Sequence, residues 1–231
     1  MAQSTIDGPR LDAPSGKAKQ LIVILHGYGA DGKDLITIGK EWQRVLPDAA
    51  CVAPNAHQAC EHMPMGRQWF SLSDRNPNER WTGACSASPV IDDFLDAELA
   101  KLGLTDKDLA LVGFSQGAMM ALHTGLRRKQ APAGILSFSG LLVGPEHLAE
   151  TVTHTAATAP PIFMLHGSAD GVVPVQSMFM SANALAEAGI PSQWHLTVGL
   201  EHNIDAQEIT YGALYLSNCF GLPYPAQLRR G

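Results

Sequence analysis

The 231-residue sequence predicts an α/β fold in which helices flank a mainly parallel central sheet. Short, continuous apolar runs alternate along the chain with segments whose apolar residues recur at helical spacing. Such alternation favours right-handed βαβ crossovers, which align neighbouring strands in parallel. Because no internal repeat or linker interrupts the pattern, we expect one domain at 20–222, after a polar extension (1–19) and before a C-terminal tail (223–231).

The apolar runs predict the strands of this sheet. The first run, 21–25, is branched and apolar throughout, which is typical of a strand buried on both faces. It ends in a glycine-flanked turn. The other predicted strands are 51–53, 109–114, 134–138, 162–165 and 194–198.

Helical segments are expected at 33–46, directly after Ser115, at 175–188 and at 203–216. A further helix is predicted to begin at Pro89, with Ser86 or Ser88 as its cap, because proline is favoured in the first turn of a helix. Residues 55–84 are rich in proline, glycine and asparagine and have no clear period. We therefore expect a long functional loop there.

Composition limits the classes of function. The formal charge of −6 and the pI of about 5.8 provide no general basic field, so nucleic acid or an anionic membrane is not an expected partner. No apolar run approaches the roughly 20 residues of a membrane span, and the first residues lack an apolar core of signal-peptide length. We expect a cytoplasmic protein. The four cysteines form no C-x-x-C pair, which favours free thiols but leaves one disulfide open.

A G-x-S-x-G pattern stands where a predicted strand meets a predicted helix, with Ser115 at its centre. In that setting the pattern indicates a nucleophile elbow, a sharp turn that exposes the serine hydroxyl. Gly113 and Gly117 flank it because the turn leaves no room for a Cβ atom. Since a sequence with 22 glycines produces such patterns by chance, Ser115 needs catalytic partners as support.

A serine hydroxyl is a weak nucleophile, so Ser115 needs a base and the base needs an acid to orient it. In the elbow architecture the acid and then the base follow the serine along the chain. Asp170 lies just past the predicted strand 162–165 and is the acid that fits best, although alone it could equally be a loop-tip or helix-capping aspartate. Of the two histidines that follow, His195 alternates within a strand, whereas His202 lies in the loop beyond it, so we assign His202 as the base.

An oxyanion hole requires two backbone N–H groups aimed at the carbonyl oxygen as it gains charge. One is expected from Gln116, the residue after the nucleophile. The second should come from the loop after an early strand, and we expect the N–H of Tyr28, between Gly27 and Gly29, to supply it. Alternatively, this turn simply ends a strand.

Together these segments resemble the phospholipase/carboxylesterase family, which includes acyl-protein thioesterases. The resemblance spans nearly the whole chain. The resemblance rests on the segments 25–29, 113–117, 166–170 and 199–202, which occur in that order. It implies an α/β-hydrolase fold, serine esterase activity without a cofactor, and acyl esters, thioesters or lysophospholipids as substrates. It assigns Ser115, Asp170 and His202 to the triad and Tyr28 and Gln116 to the oxyanion hole. The short connection 140–161 leaves no room for a large cap domain.

The resemblance also suggests an acyl channel on the 55–84 loop, walled by Met65, Trp69, Phe70 and Leu72. Ser71 departs from the family pattern, where many members have an acidic residue, so substrate preference is open. An equally good interpretation is that these apolar side chains do no more than anchor the loop to the core. On that loop His57, Cys60 and His62 lack a fourth ligand and the usual spacing, so we expect no metal.

The leading functional hypothesis is a serine carboxylic ester hydrolase that cleaves short to medium acyl esters through an acyl-enzyme. An acyl-protein thioesterase or a lysophospholipase would use the same triad. A catalytically silent, hydrolase-like binding protein is a distant alternative, because no expected catalytic position is replaced. The expected partners are a small-molecule or lipid-like acyl ester and possibly an acylated protein, with the chain acting as a monomer or a homodimer.

Overall fold

The computed structural model describes residues 6–148 and 158–223 and confirms the predicted α/β architecture. Its strands are β1 (Arg10–Leu11), β2 (Gln20–Leu25), β3 (Ala49–Val52), β4 (Gln58–Ala59), β5 (Arg67–Gln68), β6 (Leu109–Phe114), β7 (Gly134–Phe138), β8 (Ile162–Gly167) and β9 (Gln193–Thr197). In the described residues, seven of them form one sheet in the order β1-β3-β2-β6-β7-β8-β9. The pairs from β3 to β9 are parallel, whereas β1 pairs antiparallel with β3. Strands β4 and β5 form a separate antiparallel hairpin.

Helices cover both faces of this sheet. They are α1 (Gly32–Trp42), α2 (Pro77–Leu102), α3 (Gln116–Gly125), α4 (Gln176–Glu187) and α5 (Ala206–Cys219). Strand β2 shows how one sequence serves both layers, because successive side chains of a strand point to opposite faces. Leu21 and Val23 join the apolar cluster formed with α2, α3 and α4, while Ile22 and Ile24 join the cluster formed with α1 and α5.

Part of the expected polar extension, residues 1–19, lies in the sheet. In β1, Arg10 pairs with Val52 of β3. The guanidinium of Arg10 also donates to the buried carboxylate of Glu98 on α2, with Nη2 2.8 Å from Oε1. The chain before β2 is thus fastened to both a strand and a helix. The predicted tail, 223–231, lies outside the described residues except for Pro223.

The predicted start of a helix at Pro89 is wrong. Helix α2 begins twelve residues earlier, at Pro77, and Pro89 lies inside it. The true start carries a strong signal, because the side chain of Asn76 accepts a hydrogen bond from the N–H of Glu79 and Pro77 occupies the first turn. Pro89 is tolerated on the exposed side of the helix. The expected loop 55–84 is accordingly shorter, since it contains the β4–β5 hairpin and the first turns of α2.

The parallel strands determine where a site can form. Because β2, β6, β7, β8 and β9 run in the same direction, the loops that follow their carboxyl ends lie along one edge of the sheet. Ligands of open α/β sheets bind at this edge. The segments that carry Tyr28, Ser115, Asp170 and His202 all begin there.

Candidate active site

Ser115 occupies a strained turn between β6 and α3. Its backbone has φ 54° and ψ −117°, a conformation that residues with a side chain rarely adopt. The N–H of Ser115 donates to the carbonyl oxygen of Phe138 on β7 at 2.9 Å, which holds the turn against the neighbouring strand. Such an observed outlier supports a functional role for Ser115.

The two flanking glycines make this turn possible. A Cβ atom on Gly117 would lie 1.9 Å from the carbonyl oxygen of Leu25 on β2, and one on Gly113 would lie 2.2 Å from the carbonyl oxygen of Gly117. Any side chain at either position would therefore push helix and strand apart. The G-x-S-x-G pattern reflects a backbone contact between β2, β6 and α3.

The side chains of Asp170 and His202 are in contact. This is the arrangement expected of the acid and the base of a triad. Nδ1 of His202 lies 2.6 Å from Oδ2 of Asp170, and the Asp170 side chain is fully buried. The other carboxylate oxygen accepts hydrogen bonds from the N–H groups of Val172 and Val173 at 2.8 and 2.9 Å. Burial alone would raise the pKa of Asp170, but these hydrogen bonds outweigh it and hold that pKa below 3.8. Asp170 is therefore an anion that can orient the imidazole.

The imidazole of His202 also contacts the elbow. Its ring centroid lies 4.8 Å from that of Phe114, the residue directly before Ser115. His195, the other histidine in the C-terminal part of the chain, remains on β9 with its ring 4.7 Å from that of Tyr211. Position and contacts thus favour His202 as the partner of Ser115.

A second histidine, for which no role was expected, contacts the same carboxylate oxygen of Asp170 as His202 does. The Nε2 atom of the buried His166 lies 2.8 Å from the carbonyl oxygen of Val173 and 3.3 Å from Oδ2 of Asp170. Burial lowers the pKa of His166, which favours a neutral ring that donates from Nε2. The loop from His166 to Val173 folds back on itself around Asp170. The only sequence signal for this contact is the short separation of His166 and Asp170, four residues.

The two expected oxyanion donors, Gln116 and Tyr28, lie in separate segments, and residues 67–70 contact both of these segments. Gln116 begins α3, and its fully buried side chain accepts from the N–H of Trp69 and donates to the carbonyl oxygen of Phe70, at 2.9 and 2.8 Å. Beside Tyr28, the N–H of Gly29 donates to the carbonyl oxygen of Arg67 at 2.9 Å. The end of the hairpin and the two residues after it therefore contact the side chain of Gln116 and the residue that follows Tyr28.

The four residues expected to wall an acyl channel lie in different environments. Trp69 and Phe70 are fully buried, and Phe70 packs against Gly83 of α2, where a Cβ atom would come within 2.6 Å of it. In this conformation the two aromatic side chains offer no surface to an acyl chain. Met65 is 95% exposed and Leu72 is half-buried, so these two remain available to a ligand. The hydroxyl oxygen of Ser71 lies 3.0 Å from a carboxylate oxygen of Glu61 and 3.1 Å from one of Glu79, and its single proton can be donated to either. Acidic groups therefore surround the position where the family pattern has one.

A mostly apolar cavity of about 520 Å³, about which the sequence makes no prediction, lies beyond the carboxyl end of β7. The chain segment after β7, helix α4 and the first turn of α2 line it, with Leu141, Leu142, Val143, Met180 and Ala184 among the apolar residues. The same segment follows Phe138, whose carbonyl oxygen accepts from Ser115. The first residue of this segment that lines the cavity, Leu141, is thus three residues after Phe138 in the chain.

Neither a membrane span nor a metal cluster is found in the part of the chain that the structure describes. No helix among these residues is both long and apolar enough to cross a bilayer. Within the same ranges, no three histidine, cysteine, aspartate or glutamate side chains are grouped to hold a metal ion. Cys51, Cys60, Cys85 and Cys219 are all free thiols, which resolves the open question of a disulfide.

Comparison with known proteins places this chain in a family. The phospholipase/carboxylesterase family matches residues 7–219, which is most of the chain. The chain belongs to that family. Among solved structures, the chain resembles esterase PE8 with a TM-score of 0.88 and 41% identity, over 93% of this chain and 99% of that one.

Other members of the phospholipase/carboxylesterase family are more distant. Esterase YpfH of Escherichia coli is 26% identical over 89% of this chain and 85% of its own length. Acyl-protein thioesterase 1 of Gibberella zeae is also 26% identical, over 81% of this chain and 85% of its own length. The family therefore includes relatives named for ester and for thioester substrates.

Proposed function

We propose that this member of the phospholipase/carboxylesterase family hydrolyses carboxylic esters through an acyl-enzyme on Ser115. The observation that carries the proposal is the 2.6 Å contact between Nδ1 of His202 and the buried carboxylate of Asp170, with the His202 ring against the residue before a strained serine. A base held at Nδ1 presents Nε2 for proton transfer.

In the first half of the reaction, the Ser115 hydroxyl transfers its proton to Nε2 of His202 as the oxygen attacks the ester carbonyl carbon. Asp170 stabilises the imidazolium that forms, without taking a proton itself. The carbonyl oxygen becomes an oxyanion, and the N–H groups of Gln116 and Tyr28 stabilise it. His202 then donates the proton to the leaving alcohol, and the acyl group remains on Ser115.

In the second half, water replaces the alcohol. His202 removes a proton from the water as it attacks the acyl-enzyme, and the proton returns to Ser115 as the carboxylic acid leaves. All these steps use side chains and backbone groups of the chain itself, so the proposal requires no cofactor. Of the expected acyl channel, Met65 is exposed and Leu72 is half-buried, and the apolar cavity after β7 is a separate candidate space for the acyl group.

A thioester is the second candidate substrate, because relatives named acyl-protein thioesterase 1 match most of the chain. The triad would be the same and only the leaving group would differ. Lysophospholipids are a further acyl ester class within the same proposal. A cytoplasmic location fits the four free cysteines, since the cytosol keeps thiols reduced.

The test is a series of 4-nitrophenyl esters from acetyl to palmitoyl, measured beside matched acyl thioesters on one purified sample. We expect ester hydrolysis that Ser115→Ala removes, with the preferred chain length reporting the size of the acyl site. The ratio of ester to thioester rates at that length decides between the two substrate classes. A folded wild-type protein that cleaves neither series would refute the proposal and favour the silent binding protein.

A further inference from the structure

The side chain of Gln116 links the start of helix α3 to the segment after β5. Its Oε1 atom accepts from the N–H of Trp69 and its Nε2 atom donates to the carbonyl oxygen of Phe70, at 2.9 and 2.8 Å. A glutamine with both ends bonded to fixed backbone groups and no solvent exposure has a single position. The segment at Trp69 and Phe70 is thereby held at a fixed distance from the N–H of Gln116.

The same segment reaches the end of β2 through the indole of Trp69. Nε1 of Trp69 donates to the carbonyl oxygen of His26 at 2.9 Å, and the two rings lie 5.4 Å apart. His26 comes two residues before Tyr28, the other expected oxyanion donor. One tryptophan thus connects the two segments that are expected to form the oxyanion hole.

His26 gives this connection a rigid end. Its Nε2 atom accepts from the N–H of Ala56 at 3.0 Å, so Nδ1 carries the proton and donates to the carbonyl oxygen of Gly27 at 2.8 Å. Burial lowers the pKa of His26, which keeps the ring in this neutral form. The ring therefore fixes the backbone that leads into Tyr28.

Backbone hydrogen bonds fix the other side of Tyr28. The N–H of Gly29 donates to the carbonyl oxygen of Arg67, and the N–H of Arg67 donates to the carbonyl oxygen of Ala30, both at 2.9 Å. Three residues of one short segment, Arg67, Trp69 and Phe70, thus hold both segments of the expected oxyanion hole.

We infer that Trp69 and the side chain of Gln116 are positioning residues that set the separation between the N–H groups of Tyr28 and Gln116. The inference rests on the proposed function, because it assumes that these two groups stabilise the oxyanion. It gives Trp69 a role different from the channel wall suggested by the family resemblance. Donors must lie near 3 Å from an oxyanion to stabilise it, so a small displacement of one donor is costly in rate.

The decisive variant is Trp69→Phe, which keeps an aromatic side chain in the core and removes the indole N–H. Its matched control is Trp42→Phe, because Trp42 is equally buried and donates at 2.8 Å to the carbonyl oxygen of Ile209, between α1 and α5. Both variants lose one indole hydrogen bond to a backbone carbonyl. They differ in whether that bond connects to the expected oxyanion hole.

Three quantities are measured: kcat and KM for 4-nitrophenyl butanoate, and the inhibition constant of an alkyl trifluoromethyl ketone, which forms a tetrahedral oxyanion on serine. For Trp69→Phe we expect kcat to fall about tenfold or more and the inhibition constant to rise by a similar factor, with KM within about twofold. Trp42→Phe should leave all three near wild type. A purely structural role for Trp69 would lower the melting temperature without this paired change.

Gln116→Glu is the second variant, because it keeps the acceptor for Trp69 and loses the donor to Phe70. Its control is Gln43→Glu, since the side-chain amide of Gln43 donates to the carbonyl oxygens of Asp12 and Ala49 away from this edge. If Trp69→Phe does not fold, Gln116→Glu decides by the same paired change. An active wild type whose Trp69 and Gln116 variants match their controls would overturn the inference. Failure of the proposed function would instead appear as a wild type without Ser115-dependent activity.

Discussion

The ring of His202 packs against the ring of Phe114, with the two centroids 4.8 Å apart. Phe114 is the last residue of β6 and Ser115 follows it directly. The contact therefore connects the loop after β9 to the turn after β6, although 87 residues separate the proposed nucleophile and base in sequence. The Asp170 carboxylate contacts the same imidazole at Nδ1.

The role of Asp170 can be tested with Asp170→Asn. The amide keeps the size of the side chain but removes the charge that stabilises the imidazolium and selects its tautomer, so kcat should fall by roughly a thousandfold or more. KM for a short ester should change little. Asp205→Asn is the control, because Asp205 lies three residues after His202 and caps α5, and asparagine caps equally well. Asp170→Asn with more than a tenth of the wild-type kcat would contradict the assignment.

Two variants test where helix α2 begins. Asn76→Ala removes the side chain that accepts from the N–H of Glu79 and should lower the free energy of unfolding by about 1 kcal/mol. Pro89→Ala restores an N–H inside the helix and should raise the free energy of unfolding by about 1 kcal/mol. Denaturant unfolding measures both changes. A helix that began at Pro89 would produce a neutral Asn76→Ala and no gain from Pro89→Ala.

Glu208 predicts a pH dependence of stability. It lies fully buried in the first turn of α5, accepts from the hydroxyl of Thr197 at 2.9 Å, and has its pKa raised by burial to about 7, from the ordinary 4.5. Between these two values the folded state keeps a proton that the unfolded chain releases. The contribution of Glu208 to stability is therefore complete below pH 4.5 and is lost as the pH rises to 7, by about 1.4 kcal/mol per pH unit.

Glu208→Gln should remove this dependence, because glutamine is neutral at every pH and can still accept from Thr197. We expect the variant to melt close to wild type at pH 4.5 and clearly above it at pH 8. The exposed Glu187→Gln serves as the control and should show a constant difference. A Glu208→Gln variant that is less stable than wild type at pH 8 would contradict the assignment of a buried, raised pKa.

The sequence predicted the sheet well because strands buried on both faces appear as continuous apolar runs. It failed at α2, because Asn76 and Pro77 stand within a segment rich in proline, glycine and asparagine, so their helix-start signal was assigned to the loop. Strand β1 was also missed, since its two residues are too few to show the alternation of apolar and polar side chains that indicates a strand. In the site, chain order predicted which acid and histidine would meet, because the elbow architecture fixes that order.

Other features of the site depend on distances that no local pattern contains. Trp69 in a loop is compatible with a channel wall or with a core anchor, and its burial is decided by the positions of His26 and Gln116. His166 contacts Asp170 only because the loop between them turns back. The cavity after β7 arises from three separate segments.

The central claim, that Ser115 is the nucleophile, is tested most directly by labelling with a fluorophosphonate followed by mass spectrometry of the digested protein. Ser139 provides the control, because it is the other buried serine with positive φ among the described residues and follows the neighbouring strand β7. We predict one adduct per chain on the peptide that contains Ser115, absent in Ser115→Ala and retained in Ser139→Ala. An unlabelled, folded wild type, or an adduct that persists in Ser115→Ala, would contradict the account.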